Sequence, residues 1–162
     1  MNPRTYTTEC VILISLFLTI CFIGCGEGGD SAKNLPAQSE LTVEEQVTLG
    51  RAGQGDRIEL VTVADDEMLN VLTVEDQWVS VLVMDQGIIS DRGVDSIARL
   101  PDLFHLRLRM SPITDRGLIR LSSCESIQIL NLPQCESTAE GVAALAVLPD
   151  LRNLRLGGGK LD

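Results

Sequence analysis

From position 78 onward, apolar and polar residues follow a pattern that returns every 24 positions. Ile89, Ser90, Gly93, Val94, Ile97, Leu100 and Leu103 are matched 24 residues later by Ile113, Thr114, Gly117, Leu118, Leu121, Cys124 and Ile127. A second step of 24 gives Ser137, Thr138, Gly141, Val142, Leu145, Leu148 and Leu151. Two spacings alternate inside each unit. Leu103, Leu106 and Leu108 read L-x-x-L-x-L, as do Ile127, Leu130, Leu132 and Leu151, Leu154, Leu156; apolar residues two apart face one side of a strand. Val94, Ile97 and Leu100, like their counterparts one and two units on, recur at threes, which makes one face of a short helix. Ser90, Thr114 and Thr138 stand just ahead of those helices, where a hydroxyl caps the first turn. Each unit is therefore expected to run strand, turn, helix and return. Units of this length bury their apolar sides only against their neighbours, so the expected architecture is a solenoid.

At these residues the chain resembles the leucine-rich repeat family. Residues 106–118 (LRLRMSPITDRGL) and 130–142 (LNLPQCESTAEGV) look like its cysteine-containing type, L-x-L-x-x-[C/N]-x-x-I-T-D-x-G-L. The Cys/Asn position is filled by Gln86, Ser111, Cys135 and Gly159, and Ala139 and Glu140 depart from T-D-x-G in the third unit. The resemblance covers about half the chain. It implies an α/β fold, a short leucine-rich repeat solenoid with a parallel sheet on the concave face and short helices outside. It implies no reaction, since chemistry on a shared fold resides in the site.

The part before the repeats divides into three. Residues 1–25 read as a lipoprotein-type signal peptide: Arg4 and the amino terminus make a positive head, and residues 10–23 are apolar except for Ser15 and Thr19. As a helix that run would reach roughly 20 Å, short of the ~30 Å hydrocarbon core, which suits a signal better than a membrane span. Phe22-Ile23-Gly24-Cys25 resembles a bacterial lipobox, which makes Cys25 the candidate lipidation site; an ordinary signal or an uncleaved anchor is the alternative. Residues 26–40, GEGGDSAKNLPAQSE, have the composition of a flexible tether.

Residues 41–77 are expected to hold an N-terminal cap and a degenerate repeat. Thr42 and Glu45 form a capping-box pattern ahead of a helix ending near Gly50 or Gly53, residues 58–63 read as a strand, and residues 66–72 as a short helix. A shift of 25 carries Asp66, Leu69, Leu72, Trp78, Val81 and Val83 onto Asp91, Val94, Ile97, Leu103, Leu106 and Leu108. A separate small α+β cap is the other reading.

Composition supports stacked aliphatic layers: 44% of residues are hydrophobic and only 3% aromatic. The net charge of −10 argues against nucleic acid as a general partner, which needs a basic field. Of five cysteines, Cys10 and Cys21 fall in the signal and Cys25 at the lipobox; Cys124 takes a core place and Cys135 a turn place. A strand of about 16 Å would separate the last two, whereas a disulfide needs Cα atoms within about 7 Å, so both are expected to be buried thiols. Among sequence motifs there is no G-x-G-x-x-G after a strand, G-K-[ST], H-E-x-x-H or C-x-x-C, and His105 is the single histidine, so no enzyme, cofactor or metal site is expected. Asp65 and Asp66 read as carboxylates at a helix N-terminus.

The candidate binding surface is the open side of the strands. The alternation places Ser80, Leu82 and Met84, then His105, Arg107 and Arg109, then Ile129, Asn131 and Pro133, then Asn153, Arg155 and Gly157 outward. His105, Arg107, Arg109, Asn131, Asn153 and Arg155 thus form a small cationic patch on an acidic protein, either a dock for an acidic peptide or ordinary solubilising surface. The combined reading is a protein-binding module of unidentified partner, exported and lipid-anchored at a bacterial cell membrane, inner or outer. The alternative is a self-associating structural component of the envelope. Leu161 and Asp162 fall on the places of Ile113 and Thr114, so the stretch 151–162 is expected to fray in a monomer or to pair with another molecule through its open end.

Overall fold

The structure, a computed structural model, describes residues 40–158. The signal-like stretch with Cys25, nearly all of the tether, Gly159, Leu161 and Asp162 lie outside the described residues. Helix α1 (Val43–Arg51) leads into strand β1 (Arg57–Ala64) and a 3-10 turn at Met68–Val71. Strands β2 (Val81–Gly87), β3 (His105–Leu108), β4 (Ile129–Leu132) and β5 (Asn153–Leu156) then alternate with α2 (Asp91–Ile97), α3 (Asp115–Leu121) and α4 (Ala139–Ala144), the last continuing as a 3-10 turn at Leu145–Val147. The five strands form one parallel sheet in the order β1-β2-β3-β4-β5, making an α/β architecture.

The local signals in the sequence account for these elements. Thr42 and Glu45 complete a reciprocal capping box at α1. Its other end closes on Gly53 at φ 75°, with Gly53 N–H donating to the Gly50 carbonyl and Gln54 N–H to that of Leu49. That pair of bonds is the Schellman arrangement, and the left-handed position it requires suits glycine. Ser90, Thr114 and Thr138 cap α2, α3 and α4 through their hydroxyls. Residues 66–72, expected as a helix, make only the shorter 3-10 turn.

Successive units are tied by a carboxylate ladder whose role was not legible from one unit alone. Asp66 accepts from the backbone N–H of Ser90 at 2.8 Å and from its hydroxyl at 2.5 Å. Asp91 does the same for Thr114 at 2.9 and 2.5 Å, and Asp115 for Thr138 at 2.7 and 2.8 Å. The glycine three residues after each capped hydroxyl leaves room for the incoming carboxylate: a Cβ on Gly93, Gly117 or Gly141 would meet Asp66, Asp91 or Asp115 respectively. The T-D-x-G pattern is thus one contact written three times. Asp66 is a link between units rather than simply a helix-dipole charge, and Ala139, at the next acidic place, ends the ladder.

The core lies between the sheet and the helices. Leu82, Met84, Leu106, Leu108, Leu130 and Leu132 alternate along their strands as fully buried residues and pack with Val94, Ile97, Leu118, Leu121 and Leu145. Cys124 and Cys135 are buried and unbridged, as their spacing predicts. At the N-terminal edge α1 is bonded to β1 through one buried side chain: Gln46 donates to the Glu59 carbonyl and accepts from the Glu59 N–H, both at 2.8 Å. These two bonds occupy backbone groups that an edge strand would otherwise expose.

The register of β2 corrects the expected shift. Leu82 lies beside Leu106 and Met84 beside Leu108, a step of 24, while Val81 and Val83 oppose His105 and Arg107 on the open face. Ser80, Leu82 and Met84 are therefore not the outward set, and Gly87 rather than Gln86 occupies the place of Ser111 and Cys135. The 25-residue step holds for the turn, where Leu69 and Leu72 are buried like Val94 and Ile97, and one residue is lost before the strand. Trp78, expected to match Leu103, instead covers Gly50 of α1, and the buried Val79 takes that place.

Candidate functional site

The outward residues of the five strands make two rows across the open face. Arg57, Val81, His105, Ile129 and Asn153 are successive register partners, and so are Glu59, Val83, Arg107, Asn131 and Arg155. In the second row charge changes along the sheet, acidic at β1, apolar at β2 and cationic toward β5. Arg107, Arg109, Asn131, Pro133, Gln134 and Arg155 line a pocket of about 270 Å³. Of the six sequence-derived candidates, Arg107, Arg109, Asn131 and Arg155 meet there; His105 and Asn153 lie in the neighbouring row and do not line it.

The pocket rim is held by an uncommon turn. Met110, directly after Arg109, has φ 58°, and its N–H donates to Gln134 Oε1 at 3.0 Å. A left-handed conformation at a residue other than glycine carries a cost of order 1 kcal/mol and persists where the surroundings enforce it. Here the bond to Gln134 joins two lining segments, and Met110 itself is exposed.

The guanidinium groups are not equivalent. Arg107 is paired to Asp85, with Nη2 2.8 Å from Oδ1. Arg109 and Arg155 are exposed on the pocket margin, and neither side chain has a hydrogen-bond or ion-pair partner among the described residues. Three side-chain atoms of this face are buried without a hydrogen-bond partner among the described residues: Asp85 Oδ1, Arg107 Nε and Asn131 Oδ1. Buried polar atoms left without a hydrogen bond are costly, and Arg107 Nε and Asn131 Oδ1 set this row apart from ordinary surface. His105, partly buried beside Arg107 and Arg57, has its pKa lowered first by burial and then by those two cations, so the neutral imidazole is favoured. Burial raises the Cys124 thiol above its ordinary value and keeps it protonated.

Asp85 and Gln134 are the lining or pairing residues that sequence reasoning missed. Asp85 follows from the corrected register of β2, and Gln134 is a turn residue outside the strand alternation. Among the described residues no three of His, Cys, Asp or Glu come together as a metal site, and no helix is long and apolar enough to cross a membrane. No protein-family model matches the chain, and no curated protein is significantly similar to it. The guanidinium groups of Arg107, Arg109 and Arg155, gathered at this pocket, are of a kind that can pair with carboxylates.

Proposed function

We propose that this chain is a leucine-rich repeat solenoid serving as a protein-binding module, docking an acidic peptide on the arginine-lined pocket. The observation that carries the reading is that Arg109 and Arg155 stand around a pocket with no partner among the described residues, in a chain of net charge −10. Long-range repulsion from the rest of the surface weakens generic anion attraction, so capture there depends on short, aligned contacts. Supporting the repeat assignment are the 24-residue period, the parallel strand order and the Asp–Thr ladder between units. The stretch before the fold fits export and attachment of Cys25 to a bacterial membrane by lipid, with residues 26–40 as the spacer.

The test is to replace Arg107, Arg109 and Arg155 together by Ser in the full chain and titrate a hexaglutamate peptide. The fold should remain, since all three residues project from the sheet's open face, while affinity falls at least about tenfold; wild-type affinity should also drop as salt rises. Unchanged affinity in the triple variant would return the patch to ordinary surface. For the anchor, intact-mass analysis of the cell-derived protein should show acyl mass on Cys25 and loss of residues 1–24, and Cys25→Ser should abolish both. An unmodified Cys25 would overturn that part of the reading.

A specific observation favours the second reading, a self-associating envelope component. Leu154 is 43% exposed although its column partners Leu106 and Leu130 are fully buried, and it lines with Ala139, Val142 and Leu156 an apolar hollow of about 370 Å³. Such a surface fits a second copy as well as it fits water badly. Solution mass distinguishes the two readings: monomer for a binding module, a concentration-dependent oligomer for a scaffold.

A further inference from the structure

We infer that Asp85 is a built-in competitor for the acidic ligand, so that docking on the arginine pocket exchanges the Asp85 carboxylate for one supplied by the partner. This rests on the acidic-peptide reading above and adds its regulation. The pair that Asp85 makes is short but poorly aligned. Arg107 Nη2 lies 2.8 Å from Oδ1 and 3.1 Å from Oδ2, and only the second contact has hydrogen-bond geometry. Asp85 Oδ1 and Arg107 Nε are consequently left buried without a hydrogen bond.

A carboxylate can instead engage a guanidinium side-on, taking Nε–H and an Nη–H at once, and that fork is the stronger geometry. Asp85 approaches from β2, one strand away on the side opposite the pocket, and does not reach it. A ligand carboxylate in the pocket would meet Arg107 from the side of Asn131, with Arg109 and Arg155 adding to the attraction. Both Asp85 and Arg107 are about one-third exposed, so neither is locked in the core and the guanidinium has room to turn. In the ligand-free protein the internal carboxylate keeps the most buried arginine of the patch neutralised. That suppresses loose capture of arbitrary anions and reserves binding for a ligand that replaces the pair with a better one.

The deciding experiment titrates hexaglutamate into the full chain, wild type and Asp85→Asn, by calorimetry, with Asp95→Asn as a control. Asp95, on α2, pairs with Arg116 and Arg120 away from the pocket, so its substitution makes the same change in net charge. Asp85→Asn should tighten binding about three- to tenfold, Asp95→Asn should change it little, and Arg107→Ser should cancel the gain from Asp85→Asn. Equal affinities for wild type and Asp85→Asn, with the Arg triple variant weakened, would overturn the exchange while leaving the docking site standing. No binding by any variant would remove the docking reading and the exchange with it. A direct measurement avoids dependence on a folded variant: in the wild-type chain the Arg107 Nε–H resonance should shift on peptide addition. Binding without that shift would also refute the exchange.

Discussion

Asp76→Ala is expected to cost about 2 to 4 kcal/mol in denaturant unfolding, the largest loss for any single polar residue among those described. The carboxylate is 1% exposed and is the junction of three segments. It accepts a side-on fork from Arg51 of α1 at 2.8 and 2.8 Å, the Thr73 N–H at 2.8 Å, the Thr73 hydroxyl at 3.1 Å and the Trp78 indole N–H at 3.0 Å. Removing it strands the Thr73 and Trp78 donors where water is excluded. Arg51 is 45% exposed and recovers solvent, which is why the expected cost stays below that of a fully buried broken pair. Asp56→Ala, which removes a carboxylate 67% exposed, should change stability by less than about 0.5 kcal/mol.

The same junction predicts an acid limb. Its bonds, the Arg51 fork foremost, hold the Asp76 carboxyl well below its ordinary value of 3.8. A carboxylate with a depressed folded-state pKa binds its proton more readily in the unfolded chain. Its contribution is therefore complete above pH 3.8 and is lost as pH falls from there toward the folded-state value. Wild type should lose stability across that window, and Asp76→Ala should lose less over the same range. Parallel acid profiles for the two proteins would mean that the Arg51–Asp76 contact does not persist in solution.

Leu130→Ala should cost about 2 to 5 kcal/mol, because Leu130 is fully buried between the neighbouring layers of Leu106 and Leu154 and the parallel sheet cannot close around the void. Leu154→Ala, the same substitution one strand further on, should cost roughly 1 kcal/mol or less, since that side chain is already 43% exposed. The comparison separates position in the stack from residue type. Equal losses in denaturant melts would show that Leu154 is covered in solution, which is the outcome the self-association reading requires. Arg107→Ala, on the open face, should fall well below Leu130→Ala.

The misreading of β2 has a local cause. In β3 and β4 each strand alternates strictly between core and open positions, so one unit suffices to assign the faces. Residues 79–84, VSVLVM, carry apolar side chains at both phases; Val81 and Val83 on the open face are only 8% exposed, while Leu82 and Met84 are fully buried. A segment apolar on both sides contains no local mark of its phase, and a slip of one residue exchanges its faces. That slip hid Asp85, which the true phase puts on the open face, two residues beyond Val83 and within reach of the Arg107 guanidinium.

By itself the sequence determined the 24-residue unit, the order strand, turn and helix within it, the capping residues Thr42, Ser90, Thr114 and Thr138, the buried columns of β3 and β4, and the gathering of Arg107, Asn131 and Arg155 in one row. These follow from spacings of two, three and four residues, which act within a unit and are visible in any one copy. Only the tertiary structure decided the phase of β2, the Asp66, Asp91 and Asp115 ladder, the Asp76 junction and the pairing of Arg107 with Asp85. Each of these joins residues 22 to 25 positions apart except the bonds from Asp76 to Thr73 and Trp78. Contacts between units depend on how one layer is set against the next, and that offset is fixed by packing and by which carboxylate finds a donor, neither of which a local pattern encodes.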